Sequence, residues 1–249
     1  MACQILDPKY IPECAMVMAQ AFANSPAYLY IFQNLDSEKD RVQALEWIFL
    51  RNLQITCHKY PSALRGILKK KSENSEQSVE VIVCFLWTPS PHHKITMFEM
   101  VCAGLYEIPF RYGWAAMQRL LKSVSLSKHE EQGSKAGQPT SDAREKIDFI
   151  TLERMVVKPK YQGKGYGSQA LREILAATEG DASIIPTSHQ RIHLSTQDDR
   201  NVTFYRRLGF EVVNESDIVD TETSDPSYYF HNWDMYANVH EVREHLRSK

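Results

Sequence analysis

The stretch that decides the fold is residues 153–168, ERMVVKPKYQGKGYGS. It joins a strand predicted over residues 147–157 to an amphipathic helix predicted over residues 167–178. The turn between them carries alternating glycines, Gly163, Gly165 and Gly167. Glycine lets a backbone bend sharply and approach a ligand closely, and the first turn of a helix offers free N–H groups and partial positive charge. The turn therefore predicts a cradle for a pyrophosphate.

Two other phosphate-binding motifs fit this turn less well. A Walker loop requires G-x-x-x-x-G-K-[ST], whereas Gly163-Lys164 is followed by Gly165. A dinucleotide fingerprint, G-x-G-x-x-G, follows the first strand of its domain, and here Ser168 stands where its third glycine should be. A glycine-rich loop without a ligand is the remaining alternative.

The elements after the turn alternate between strand and helix. The predicted elements are a strand over residues 191–196, a helix over 200–208, a strand over 210–213 and a last strand within 227–237. Such alternation predicts a right-handed strand-helix-strand crossover between parallel neighbours.

The first half of the chain predicts helices and a hairpin. The predicted elements are helices over residues 11–22 and 110–124 and strands over 63–68 and 79–87. Another helix begins at an N-cap of Asp36 or Ser37 and ends before Pro61. The polar tract KKKSENSEQS connects the two strands, and we expect its lysines to be solvated. The polar segment 125–146 predicts a mobile loop.

Composition favours one globular domain. The chain has 249 residues, 43% of them hydrophobic, which is enough for a sizeable core. Its 29 basic and 31 acidic side chains give a net charge of -2, so no broad basic field points to nucleic acid or an anionic membrane. The five cysteines are scattered without a Cys-x-x-Cys pair, which disfavours disulfides and structural zinc and favours a reducing cytosol.

Targeting and metal-binding signals are not recognised in the sequence. Polar residues interrupt the N-terminal apolar stretch, so no secretory signal is predicted, and no run reaches the roughly 18 apolar residues of a membrane span. The histidines His92, His93, His189 and His193 lack a convincing set of further ligands, so no metal is predicted. We expect a cytoplasmic monomer or homodimer that binds neither nucleic acid nor membrane.

Two landmarks resemble the Gcn5-related N-acetyltransferase (GNAT) superfamily. VVKPKYQGKGYGS is similar to its Q/R-x-x-G-x-G/A signature, with Gln162, Gly165 and Gly167 at the signature positions. NVTFYRRLGFEV, with Tyr205 four residues before Gly209, resembles the helix of that family that ends in Y-x-x-x-G-F. AQAFANSP near the start and FLWTP at residues 85–89 extend the likeness to the puromycin N-acetyltransferase-like branch.

The resemblance implies one domain over residues 1–249 with an α/β (α+β) fold. Its mixed, mostly antiparallel sheet of about six to seven strands is flanked by helices. A parallel pair around residues 155–157 and 192–196 is expected to splay, so that unpaired main-chain groups can bond the pantetheine arm of acetyl-CoA. Segments 125–146 and 180–190 are expected to be mobile insertions. The implied cofactor-binding residues are Met155, Val156, Val157, Gln162, Gly163, Lys164, Gly165, Tyr166, Gly167, Ser168, Asn201 and Tyr205.

Two side chains are implied in catalysis. Tyr205 matches the family tyrosine beside the cofactor sulfur and is predicted to protonate the leaving thiolate; a tyrosine merely packed on the sheet is the alternative. Period-two alternation puts Glu153 on the face of Met155 and Val157, where it could accept the amine proton through water. The alternative is a glutamate paired with a neighbouring cation such as Arg154 or Arg191.

Other polar residues have two interpretations each. Asn201 either contacts pantetheine or caps its helix. His193 shares a strand face with Ser195, and His231 shares one with Trp233. Either pair could line the acceptor pocket, or its histidine could be an ordinary hydrogen-bonded residue.

The function implied by the resemblance is acetyl-CoA-dependent transfer of an acetyl group to a primary amine of a small molecule or peptide, directly and through a ternary complex. A noncatalytic acyl-CoA-binding or sensor protein with the same fold is one alternative. A Rossmann-type nucleotide-binding protein is another, and it would bind NAD.

Overall fold

The computed structural model describes residues 2–70, 79–89, 99, 101, 103–133, 149–177, 191–219 and 229–247, with the backbone alone for residues 89, 124–133, 177, 218 and 219. Several predicted features lie outside these residues. They are the connections at 71–78 and 221–226, the part of the predicted loop at 134–146, the insertion at 180–190, and His92, His93 and His189.

Within the described residues, seven strands form one sheet in the order β1-β2-β3-β4-β5-β7-β6. The strands are β1 Cys3–Ile5, β2 Leu64–Lys70, β3 Val79–Pro89, β4 Phe149–Val157, β5 Arg191–Thr196, β6 Glu211–Val219 and β7 Tyr229–Asn238. Strands β4 and β5 run parallel, and every other neighbouring pair is antiparallel. The predicted mixed, mostly antiparallel sheet is confirmed. The Rossmann alternative is wrong, because that fold requires a mostly parallel sheet.

Helices cover both faces of the sheet. They are α1 Ile11–Phe22, α2 Pro26–Ile31, α3 Glu38–Lys59, α4 Ile108–Tyr112, α5 Trp114–Gly133, α6 Tyr166–Ala177, α7 Asp199–Arg206 and α8 Val239–Arg247. One hydrophobic cluster joins α1, α2 and α3 to the face that we call the front. A second cluster joins α6, α7 and α8 to the opposite face, the rear.

Local signals explain the first long helices. The predicted bounds of α1 are confirmed, because its buried side chains recur at helical spacing and Pro26 disfavours a helical residue before it. The predicted N-cap of α3 is Ser37, whose Oγ accepts a 3.0 Å hydrogen bond from the backbone N–H of Asp40. Acidic residues in its first turn and basic residues in its last complement the helix dipole.

Two helices, α4 and α5, replace the single helix predicted over residues 110–124, and the second extends beyond residue 124. Gly113 adopts φ +88° and ψ 157°, a backbone conformation almost confined to glycine, and it separates α4 from α5. Helix α5 then continues to Gly133, so the loop prediction is wrong for residues 125–133. Those residues are polar, but they lack proline and include good helix formers, and extending an existing helix costs little.

The parallel pair separates after its first residues. Pairing joins Phe149 to Arg191, Ile150 to Ile192 and Thr151 to His193, and stops there. From residue 152 onward, β4 pairs with β3 alone among the described residues, and a gap opens between β4 and β5 toward their carboxyl ends. The predicted separation is therefore confirmed beyond Thr151 and His193, whereas Ile192, expected in the separated part, still pairs with Ile150.

A β-bulge in β4 corrects the predicted position of Glu153. Glu153 pairs with Leu86 and Val156 with Cys84, so Arg154 and Met155 together oppose Phe85. Arg154 takes φ +51°, an uncommon value for a residue other than glycine. The extra residue resets the alternation of side chains, so Glu153 lies on the front face. Met155 and Val157 pack on the rear face, and the prediction that all three share a face is wrong.

Candidate functional site

The turn after β4 is held by its own polar groups. The backbone N–H of Lys158 donates to the Ile82 carbonyl oxygen at 2.9 Å, and a 3-10 turn, Pro159–Tyr161, follows. Gln162 Nε2 donates to the Val157 carbonyl oxygen at 3.0 Å. The Gln162 side chain therefore braces the turn.

Two of the three predicted glycines are required by the backbone. Gly163 has φ +73° and Gly165 has φ +79°, left-handed conformations that L side chains rarely adopt. A Cβ built on either glycine would meet no atom within 4 Å, so both border open space. Gly167 differs, because it lies in the first turn of α6 and its added Cβ would make ordinary contacts, at 3.7 Å from Met155, Val157 and Phe204 side chains.

The start of α6 presents unpaired backbone donors. The hydrogen bond from Gln169 N–H to the Gly165 carbonyl oxygen, at 2.9 Å, comes first in the helix. The N–H groups of residues 163–168 donate to no acceptor in the described part of the chain. Together with the dipole of α6, these donors form an anion-binding surface beside the open space at Gly163 and Gly165.

A buried carboxylate ties the turn to β3. Glu80 is 4% exposed and accepts a 2.5 Å hydrogen bond from the Tyr161 hydroxyl. It also pairs with Lys158 at 3.1 Å and with Lys160 at 2.8 Å. Burial opposes ionisation, but the hydrogen bonds from Lys160, Tyr161 and Lys158 prevail and lower the pKa of Glu80 to about 2. The sequence reasoning missed this residue, although a lone acid within an apolar strand was a usable signal.

Lysines surround the Tyr161 ring beside the turn. The Nζ atoms of Lys69, Lys160 and Lys164 lie 5.0, 4.9 and 5.4 Å from its centroid. Lys69, which was expected to be merely solvated, thus belongs to a basic rim next to the free N–H groups.

Tyr205 is buried in α7 on the rear face. The residue is 9% exposed, and its ring packs against Phe204 at 5.1 Å and Phe210 at 5.4 Å between centroids. Burial raises the pKa of Tyr205, so the phenol stays protonated at neutral pH. Its hydroxyl has no hydrogen-bond partner among the described residues. Tyr205 therefore packs as the alternative interpretation expects. Its protonated hydroxyl is also able to donate a proton.

Glu153 is held on the front face by a half-buried cation, Arg154. Its Oε2 lies 3.1 Å from Nη1 of Arg154, which also donates to Asn52 Oδ1 at 3.0 Å. The Arg154 guanidinium lies 5.8 Å from the Phe49 ring centroid. Burial works against its charge, but Glu153 and Tyr28 raise the pKa of Arg154. Glu153 thus pairs with Arg154, as the alternative interpretation expects, and its role as a proton acceptor stays a prediction.

The two histidine pairs lie on opposite faces. His193 and Ser195 share the front face with Asp234, which pairs with Ser195 in the β5–β7 register. His231 and Trp233 share the rear face, with ring centroids 4.2 Å apart. Nδ1 of His231 lies 2.6 Å from Asp217 Oδ1 on β6, away from the gap.

Asn201 does not cap α7. The N-cap is Asp198, whose side chain accepts a 2.8 Å hydrogen bond from the Arg200 N–H. Asn201 Nδ2 donates to Thr196 Oγ1 at 3.2 Å, which ties the start of α7 to the end of β5. The capping alternative for Asn201 is wrong, and the predicted contact with pantetheine stays a prediction.

The described residues contain neither a metal-binding cluster nor a membrane-spanning helix. No group of three His, Cys, Asp or Glu side chains there could hold a metal ion. None of the helices in that part of the chain is long and apolar enough to cross a membrane.

Residues 124–212 match the family model described as acetyltransferase (GNAT) domain. This segment contains β4, the glycine turn, the gap and Tyr205. A sequence search of curated proteins finds no match to the chain.

Solved structures share the fold over nearly the whole chain. A histone acetyltransferase HPA2 and related acetyltransferase from Corynebacterium glutamicum is 18% identical and has a TM-score of 0.51, covering 96% of this chain and 97% of that chain. A polyamine N-acetyltransferase from Drosophila melanogaster is 11% identical and has a TM-score of 0.52, covering 95% of this chain and 98% of that chain. An agmatine N-acetyltransferase mutant has the same identity and coverage and a TM-score of 0.51. The fold is thus GNAT-like, and the resemblance to the puromycin N-acetyltransferase-like branch stays a prediction.

Proposed function

We propose that this protein is an acetyl-CoA-dependent N-acetyltransferase that acts on a primary amine of a small molecule or peptide, by direct transfer in a ternary complex. The observation that carries the proposal is the row of unpaired N–H groups at residues 163–168, at the end of β4 where the gap opens. The family match over residues 124–212 and the GNAT-like fold support it.

The donor residues fit the proposed cosubstrate. The N–H groups of residues 163–168 would bind the pyrophosphate of acetyl-CoA, and the basic rim beside Tyr161 would add positive charge. Open space at Gly163 and Gly165 leaves room for that group. Gln162 would contribute by bracing the turn, since its side chain already bonds the Val157 carbonyl.

The unpaired edge of β4 would hold the pantetheine arm. Main-chain groups of Met155, Val156 and Val157 border the gap, where amide groups of the cosubstrate could replace the missing ladder partners. Asn201, which bonds Thr196 on the other wall, would contact the same arm. Acetyl-CoA would supply an acetyl group activated as a thioester.

The proton transfers would use side chains on both faces of the sheet. The Tyr205 phenol, which is protonated at neutral pH, would donate to the leaving sulfur from the rear. Glu153 would accept a proton from the amine through water on the front face, where Arg154 fixes its position. The two residues therefore serve different steps.

A thiol-release screen tests the proposal. The full chain is incubated with acetyl-CoA and a panel of primary alkylamines, aromatic amines and short peptides, free thiol is measured, and products are identified by mass spectrometry. We expect amine-dependent thiol release and a product heavier by one acetyl group. Binding of acetyl-CoA without thiol release across the panel would favour a noncatalytic acyl-CoA-binding or sensor protein instead.

A further inference from the structure

His193 marks the closed end of the gap on the front face. It is the last residue of β5 that pairs with β4, opposite Thr151. Continued in the same register, the strands would bring Glu153 opposite Ser195 two residues later, but there they have separated. Glu153 and Ser195 therefore flank the front-face opening of the gap, which we call the front mouth, and His193 lies at its base.

A buried carboxylate orients the His193 ring. Nε2 of His193 lies 3.5 Å from Oδ1 of Asp234, which also accepts a 2.5 Å hydrogen bond from the Ser195 hydroxyl. The second oxygen, Oδ2, accepts a 3.5 Å hydrogen bond from Asn214 Nδ2. An acceptor beside Nε2 favours the tautomer with its proton on Nε2, which leaves a lone pair on Nδ1.

The other ring nitrogen is enclosed and unpaired. His193 is 9% exposed, and its Nδ1 has no hydrogen-bond partner in the described part of the chain. Tyr236 at 4.6 Å and Phe149 at 5.6 Å between ring centroids fix the ring from the sides. A buried nitrogen of this kind is normally completed by water or by a ligand, because leaving it unpaired is costly.

Amine acetylation involves two proton losses at nitrogen, which one residue would have to accept in turn or two residues could share. An alkylammonium ion loses two protons from nitrogen on becoming an amide, as the N–C bond forms and the C–S bond breaks. One proton makes up for the proton that Tyr205 gives to the sulfur, and the other leaves to water. A single carboxylate at Glu153, already paired with Arg154, would have to serve both losses.

We propose that His193, oriented by Asp234, is a second proton-accepting residue at the front mouth. Its Nδ1 takes one proton from the amine nitrogen through one water and passes it to solvent when the product leaves. Asp234 stabilises the imidazolium that forms. The assignment rests on the proposed acetyltransferase function and adds to it a catalytic residue and a positioning residue.

The test compares histidine–carboxylate pairs on the two faces. His193→Gln and Asp234→Asn remove the base and its partner's charge, and His231→Gln is the matched control, since His231 pairs with Asp217 on the rear face. Each variant is assayed for kcat and KM with an alkylamine from the screen and with its fluorinated analogue of lower amine pKa. Acetyl-CoA binding is measured by calorimetry.

We expect His193→Gln to lower kcat with the alkylamine by roughly 10²-fold, and with the fluorinated analogue by much less, because that amine is already neutral. Acetyl-CoA affinity should stay unchanged, and His231→Gln should behave as wild type. An unchanged kcat in His193→Gln, or an equal loss with both amines, would overturn the assignment while leaving the acetyltransferase intact. Absence of turnover by the wild-type chain would instead overturn the function itself, and this role with it.

Discussion

At the scale of single residues, Tyr205 is a buried phenol that keeps its proton. The phenol is enclosed by Phe204 and Phe210, and burial raises its pKa, so it keeps its proton at the pH where an amine attacks. A tyrosine in this state can give a proton to a thiolate but cannot act as a base. The residue therefore fits the donor half of the proposed chemistry.

Replacing Tyr205 with phenylalanine should remove that donor with little effect on packing. We expect kcat to fall by at least roughly 10²-fold while acetyl-CoA affinity is kept, because the ring still fills its site. Steady-state kinetics and calorimetry check this, with Tyr229→Phe on an exposed position as the control. Turnover at the wild-type rate would mean that Tyr205 is only a packed side chain.

The position of the Glu153 carboxylate is set by one neighbouring cation, Arg154. Arg154 holds its carboxylate at 3.1 Å, and Tyr28 and Asn52 in turn hold Arg154. The carboxylate is thereby fixed on the front side of the sheet.

The Glu153→Gln variant should change the pH profile of kcat/KM. If the ionised carboxylate accepts a proton, its loss should lower kcat/KM and alter the acidic limb, which reports groups that must be deprotonated. Glu107→Gln, which breaks another Glu–Arg pair on α4, is the control. An acidic limb like that of the wild type would exclude Glu153 as a proton acceptor.

At the scale of elements, the glycine turn and α6 act as one unit. Gly163 and Gly165 supply left-handed conformations that free the N–H groups of the first helical turn. Glu80 anchors the other end of the turn to β3 through Lys158, Lys160 and Tyr161. The donors are therefore positioned before any ligand arrives, which reduces the entropic cost of binding.

Gly165→Ala should lower the affinity for acetyl-CoA beyond what its loss of fold stability explains. The left-handed backbone disfavours alanine by roughly 1–2 kcal/mol, and the new methyl group would enter the space assigned to the pyrophosphate. Gly113→Ala is the control, because Gly113 also has a positive φ, +88°, and an added Cβ there would meet no atom within 4 Å. Both variants are expected to lose thermal stability, but acetyl-CoA affinity should fall in Gly165→Ala alone. Equal affinities in the two variants would refute the cradle.

The Glu80 anchor predicts a pH-dependent stability. Its pKa is lowered from 4.5 to about 2 in the folded chain, so its stabilisation is complete above pH 4.5 and is lost as pH falls from 4.5 toward 2. Denaturant unfolding of wild type and Glu80→Gln should show a difference in unfolding free energy that shrinks over this window. A difference that stays constant with pH would contradict the assigned ion pairs.

At the scale of the whole molecule, the sequence predicts what depends on local pattern. Helix α1, the Ser37 cap, the strands around the glycine turn and the parallel pair all follow from periodicity and turn chemistry. Strand β1 is too short to carry a pattern, and it forms only because β2 offers an edge. The bulge at Arg154 is also beyond reach, because it depends on which residues β3 places opposite.

The candidate site likewise combines a local part, which the sequence predicts, with long-range contacts, which it does not. The turn is local, so its glycines and the helix start could be read from the sequence. The His193–Asp234 contact joins β5 to β7, whose pairing is set by sheet topology, and Glu80 reaches the turn from β3. Long-range partners of this kind become visible only when the sheet is assembled.

The bulge in β4 keeps the apolar side chains on both sides of it on the same face of the sheet. With regular pairing, the extra residue would invert every side chain before it, sending Ile150 and Leu152 out of the rear core and Glu153 into it. Arg154 absorbs that residue at the cost of one left-handed conformation. Deleting Arg154 would leave the side chains before and after the bulge on their present faces. Deleting Thr151 would move the side chains before it to the opposite face. Strand length, as much as side-chain identity, keeps the carboxylate on one side and the apolar wall on the other.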